Sequence, residues 1–158
     1  MLLDFYALGT VAIACCVLFY VAFADLQNYK IKNELVLLLA ALYFIYVFAT
    51  GTWNEAPSHI VVATLIFLVM LVCYSYGLLG GGDVKLLTVA FLWVGKDCAL
   101  LFAVVMLAIT GVHAGLVYFG VLGAQTINGR RRIAYAPAIA GALVVVFGSG
   151  CLQHPSLM

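Results

Sequence analysis

The chain has 158 residues, 67% of them hydrophobic and only 8% charged, and its seven Lys and Arg against six Asp and Glu give a net charge of +1. A soluble domain needs about a quarter charged residues to cover its surface, so a water-facing globule is excluded, and the mean hydropathy of +1.22 makes the bilayer the solvent. No polar stretch exceeds about ten residues, the scale of an ordinary connection, so residues 1–158 are read as one membrane domain.

Apolar segments run over residues 5–24, 35–51, 58–76, 84–95, 98–122 and 134–150. In lipid each must satisfy its own backbone hydrogen bonds, which makes helices of them. The expected fold class is therefore all-α, a polytopic bundle of six transmembrane helices. The first segment ends in Ala22-Phe23-Ala24, which looks like a signal-peptidase site. Its flank carries Asp4 and no Lys or Arg, and its run of about twenty apolar residues is too long for a signal core. It reads as a retained helix. The fourth segment covers only about two-thirds of the hydrocarbon core.

Basic residues set the orientation. The first connection holds Lys30 and Lys32, the third Lys85 and the fifth Arg130–Arg132, whereas the second and fourth connections and the termini hold only Lys96. The odd connections are expected in the cytoplasm and both termini outside it. The same count makes the fourth segment a true crossing. Arg130–Arg132 are read as orienting residues that meet lipid phosphates. Without a basic face or interleaved aromatics they do not point to nucleic acid.

Cysteines and histidines show no metal spacing. Cys15 and Cys16 are adjacent, while Cys73, Cys98 and Cys151 are scattered with no C-x-x-C pair. They read as small apolar residues of packed or lipid-facing helices. His59, His113 and His154 are dispersed, and a lone intramembrane His reads as a helix-packing residue. No metal and no cofactor is expected.

The acidic residues are more informative. Asp25 ends the first apolar run and Asp83 opens the fourth, behind Gly80-Gly81-Gly82. Antiparallel crossings bring both carboxylates to the cytoplasmic leaflet, where ionisable groups are costly and signal function. Two carboxylates about 3 Å apart share one proton. The ionised member can then activate water while the protonated member polarises a carbonyl. Asp83 is expected as the N-cap of the fourth helix. The glycines are expected to end the third helix, to let the chain turn sharply and to give a substrate backbone room. Taken singly, Asp83 also reads as a simple cap, and Asp25 as an interfacial residue paired with Lys30 or Lys32.

At these residues the chain resembles the prepilin peptidase family of membrane aspartic proteases. Its G-x-G-D motif stands as Gly80-Gly81-Gly82-Asp83, followed by Val84-Lys85-Leu86. Its first motif stands as Asp25, five residues, then Ile31-Lys32-Asn33, with Lys32 in place of a proline. A third segment, RIAYAPAIAGAL at 132–143, is similar to a family run in which Ala134 and Ala136 are replaced by proline and glycine. The resemblance implies Asp25 and Asp83 as catalytic residues. Gly80, Gly81, Gly82, Lys85, Lys30 and Asn33 are expected to shape the substrate site.

The resemblance further implies a multi-pass protein of the bacterial inner membrane. Its substrates would be prepilins or pseudopilins with a short basic leader, cut after a glycine. The chain looks like the short tight-adherence (Flp-type) members without a methyltransferase segment, so N-methylation is not expected. Membrane lipids are the other expected partners, and a homo-oligomer is left open. Two further classes stay compatible with the residues alone. One is a small proton- or ion-coupled transporter, although the carboxylates lie at the interface and no inverted repeat is visible. The other is a structural subunit of a secretion or pilus machine.

Overall fold

The computed structural model describes residues 2–28, 31–119, 125–127, 130–132 and 135–151. Among these residues six helices occur in chain order: α1 (Leu2–Asn28), α2 (Asn33–Thr50), α3 (Ala56–Ser75), α4 (Gly81–Val94), α5 (Ala99–Tyr118) and α6 (Ala136–Gly148). Each falls on one of the expected apolar segments. Two departures stand out. First, α1 continues past Asp25 for one more turn, so Asp25 is a helical residue and not part of a loop. Second, the chain is not purely helical. Strands β1 (Gln125–Ile127) and β2 (Arg130–Arg132) pair antiparallel between α5 and α6, with Thr126 opposite Arg131. The arginine run thus lies on a strand.

Among the described residues four helices are long and apolar enough to cross a bilayer: Phe5–Asn28, Asn33–Thr50, Ala56–Ser75 and Ala99–Tyr118. Several such helices in one chain are what a multi-pass membrane protein requires. Helices α4 and α6, with 14 and 13 residues, are only about 20 Å long, against a hydrocarbon core of about 30 Å. Their position explains how this is tolerated. Helix α4 packs on α2, α3, α5 and α6, and α6 packs on α1, α4 and α5. Val84, Leu86, Leu87, Val89, Ala90, Leu92, Trp93 and Val94 of α4 are all buried. By contrast α3 buries only Ala56 and Ala63, and α5 only Phe102. The short helices are lined by protein, so lipid thickness does not dictate their length.

Packing rather than exclusion from water must hold such a bundle, because lipid is as apolar as a leucine. Helix α6 buries Ala136, Ala138, Ala140 and Ala142, small residues that let neighbouring backbones come close. At Gly141 an added Cβ would sit 3.1 Å from Ile109 of α5. The largest buried side chain, Trp93, has Tyr43, Tyr46 and Phe147 rings at 5.7, 5.5 and 5.2 Å. Its indole Nε1–H donates to the Leu39 carbonyl at 3.0 Å, which satisfies the only polar atom it buries.

Contacts at the helix ends show that the helices alternate in direction. Asp25 of α1, Ile31 and Asn33 at the start of α2, Tyr74 of α3, Gly81–Lys85 of α4 and Ala136 of α6 meet at one end. At the other end His59 of α3 donates from Nδ1 to the Leu92 carbonyl of α4 at 2.9 Å. There too Cys98, just before α5, is disulfide-bonded to Cys151, just after α6. This bond corrects the expectation that the scattered cysteines are only apolar filler. The pairing joins positions 53 apart in the chain, a relation that spacing does not carry.

Candidate active site

The site is built on three helix termini at one end of the bundle. Asp25 is 5% exposed, one turn before the end of α1. A buried carboxylate needs a donor, and the donor is the backbone of α6. Ala136 N–H donates to Asp25 Oδ2 at 3.2 Å. The first N–H groups of a helix have no partner within it, and Pro137, the next residue, has no N–H at all. The segment YAP therefore starts a helix and presents its first amide to Asp25. Of the expected partners of Asp25, Lys30 lies outside the described residues, and Lys32 precedes α2 as its N-cap.

Asp83 is the third residue of α4 and half-buried. The expected N-cap role falls instead to Gly80, whose backbone is extended (φ −78°, ψ 146°). Helix α3 is also ended elsewhere. Gly77 takes the left-handed conformation (φ 71°), its N–H bonds the Tyr74 carbonyl at 2.9 Å, and Leu78 N–H bonds the Cys73 carbonyl at 3.1 Å. That pair of bonds closes the helix end at the glycine. None of Gly80, Gly81 and Gly82 has a positive φ. The three glycines are therefore not there to turn the chain.

They are there for clearance, each toward a different neighbour. A Cβ on Gly80 would lie 2.8 Å from Asp83 Oδ2, so the carboxylate folds back over the start of its own helix. A Cβ on Gly81 would meet the Tyr74 ring at 3.5 Å, and one on Gly82 would meet Ile31 at 3.1 Å. The last contact joins the two sequence motifs, because Ile31 belongs to the Asp25 motif. A second tie does the same: Lys85 Nζ donates to Asn33 Oδ1 at 2.9 Å. The expected site residues Gly80, Gly81, Gly82, Lys85 and Asn33 thus line one junction. Helices α1 and α4 are bridged by α2 and α6, each of which packs on both.

Two contributors were not expected from the sequence. The Ala136 amide was within reach, since a proline one residue into an apolar run marks a helix start. Tyr74 carried no signal, because its place over Gly81 depends on how α3 meets α4. Among the described residues no cluster of three His, Cys, Asp or Glu could hold a metal ion. What the geometry offers is two carboxylates at the same end of the bundle, one fixed by a helix amide and one beside a backbone stripped of Cβ atoms.

The sequence profile of the type IV leader peptidase family matches residues 12–124, which include both aspartates. No curated protein matches the chain. No solved structure matches it either.

Proposed function

Since the chain belongs to the type IV leader peptidase family, we propose that it is an aspartic endopeptidase that removes the short basic leader of prepilins or pseudopilins of the Flp type. Asp25 and Asp83 form the working pair. One carboxylate takes a proton from water, and the water oxygen attacks the carbonyl carbon of the scissile bond. The other, protonated, carboxyl hydrogen-bonds the carbonyl oxygen and stabilises the charge that develops there. Collapse of the tetrahedral intermediate breaks the C–N bond, and the leaving amine receives the proton.

One observation carries this reading. The three segments that resemble family motifs, some 111 positions apart at the extremes, meet at one bundle end through Asp25–Ala136, Ile31–Gly82 and Asn33–Lys85. A carrier would be expected to hold its carboxylates near the bilayer midplane. Here they sit at helix ends, at the end of the bundle that also carries Lys32, Lys85 in the first turns of α4, and the Arg130–Arg132 strand. The positive-inside rule assigns that end to the cytoplasm of a bacterial inner membrane, with six crossings and both termini outside. A prepilin leader is basic and stays in the cytoplasm, so its junction with the apolar helix arrives at the same depth. An extended substrate is required, because a helical amide is occupied by its own hydrogen bond. The open face of Gly80–Gly82 gives that segment a place.

The test is incubation of the purified protein in lipid with a synthetic prepilin segment carrying a basic leader, a glycine and an apolar helix. Mass spectrometry should find one cut, after the glycine, and an unmethylated new N-terminus. An intact substrate, or a cut distributed over many bonds, contradicts the assignment.

A further inference from the structure

We propose that Cys98 and Cys151 are a modification site for a dithiol oxidase on the non-cytoplasmic side, and that the resulting disulfide fixes α4 against α6. The two Cα atoms are 6.1 Å apart, inside the range of about 4.4–6.8 Å that a disulfide spans. Cys15, Cys16 and Cys73 remain free thiols. Pairing is therefore confined to the bundle end opposite Asp25 and Asp83.

Two independent signals assign that end to an oxidising compartment. Cytosolic thiols are kept reduced, so a persistent disulfide belongs on the far side of the membrane. The basic residues give the same orientation: among the described residues Lys96 alone lies at the disulfide end, and Lys32, Lys85 at the start of α4 and Arg130–Arg132 lie at the other.

The chemistry has a defined order. Cys151 is exposed and Cys98 is 2% exposed. The Cys151 thiolate attacks the disulfide of the oxidase and forms a mixed disulfide. Cys98 then attacks the Cys151 sulfur and expels the oxidase thiol. Two electrons and two protons pass to the oxidase, which leaves as a dithiol.

The bond also has a mechanical consequence, which rests on the aspartate-pair reading. Cys98 lies four residues beyond the end of α4, and Cys151 three beyond the end of α6. Helix α4 carries Asp83, and the first amide of α6 holds Asp25. His59 and Trp93 tie the same end of α4 to α3 and α2. The disulfide adds the tie to α6 and so limits sliding of one aspartate past the other.

The test uses the full chain in membranes of a bacterial host with a thiol-oxidising periplasm. Free thiols are blocked with a small maleimide in denaturant, and the sample is then reduced and labelled with a heavy maleimide. Two of the five cysteines should take the heavy label, and Cys98→Ser or Cys151→Ser should abolish it. In a host lacking the oxidase, or after a membrane-impermeant reductant is added to spheroplasts, the heavy label should vanish. All five cysteines blocked at the outset in the competent host, or a bond reached by the reductant only from the cytoplasmic face, would overturn the proposal. In the folded Cys98→Ala/Cys151→Ala variant, kcat for leader cleavage should fall on the order of tenfold at constant KM, as misalignment of reacting groups predicts. An unchanged kcat would show that the disulfide does not hold the aspartates in register. Because the labelling measures mass, its result is independent of whether the substrate is a prepilin.

Discussion

Asp25 and Ala136 are 111 residues apart, yet the Ala136 amide donates to Asp25 Oδ2 at 3.2 Å in a buried setting. The bond gives the carboxylate a structural duty in addition to its proposed chemical one, and the two can be separated. Asp25→Asn keeps an oxygen that accepts the amide, so the protein should fold and melt as the wild type does while leader cleavage is lost. Asp25→Ala leaves a buried N–H unpaired, at a cost of roughly 1–3 kcal/mol. Thermal unfolding in detergent should therefore rank wild type and Asp25→Asn together, with Asp25→Ala well below them.

The glycines make a graded prediction. Gly80→Ala puts a methyl 2.8 Å from Asp83 Oδ2, the mobile tip of a side chain. Stability should barely change, but the carboxylate must move, and kcat should drop at least tenfold by misplacement alone, within the about hundredfold cost of a 1 Å error. Gly81→Ala meets only an ordinary contact with Tyr74 and should change activity and stability least. Gly82→Ala must push on Ile31 at 3.1 Å and should fall between them. Equal activity in all three variants would show that clearance is not what the glycines provide.

Much of this arrangement is legible in the sequence, and the limits have physical causes. The six helices follow from apolar runs that lipid forces into helical form, and charge placement brings Asp25 and Asp83 to the same end. What one dimension hides is which atoms meet. Asp83 looks like a cap because it follows three glycines, yet the cap is three residues earlier, at Gly80, and the helix starts at Gly81. Gly77 looks incidental, yet it is the residue that ends α3. The Cys98–Cys151 bond and the His59–Leu92 bond depend on which helix ends are neighbours. The pairing of Gln125–Ile127 with Arg130–Arg132 sits in a polar stretch with no alternating pattern to announce it.

The Lys85–Asn33 hydrogen bond ties the two motifs together at an exposed position. Such a bond contributes little to stability, about 0.5–1.5 kcal/mol. Lys85→Met and Asn33→Ala should each lower cleavage modestly, and the double variant should be hardly worse than either single. A double-mutant cycle measures this directly. Fully additive losses would mean that the two residues act separately.

Lys32 stands where the resembling motif has proline. Its backbone angles, φ −72° and ψ 133°, are already those that proline adopts. The rigid turn is therefore kept by conformation without the ring. Lys32→Pro should be tolerated, with unchanged cleavage and a gain of about 0.4–1 kcal/mol from a less flexible unfolded chain. A loss of stability would show that the Lys32 N–H or its neighbour's conformation matters.

The central claim is that Asp25 and Asp83 act as one catalytic pair. It is tested most directly by leader cleavage with purified Asp25→Asn and Asp83→Asn in proteoliposomes, each variant first shown to be folded by its melting curve. Neither variant should give leader product, and neither should a mixture of the two. Wild-type cleavage by either single variant would contradict it.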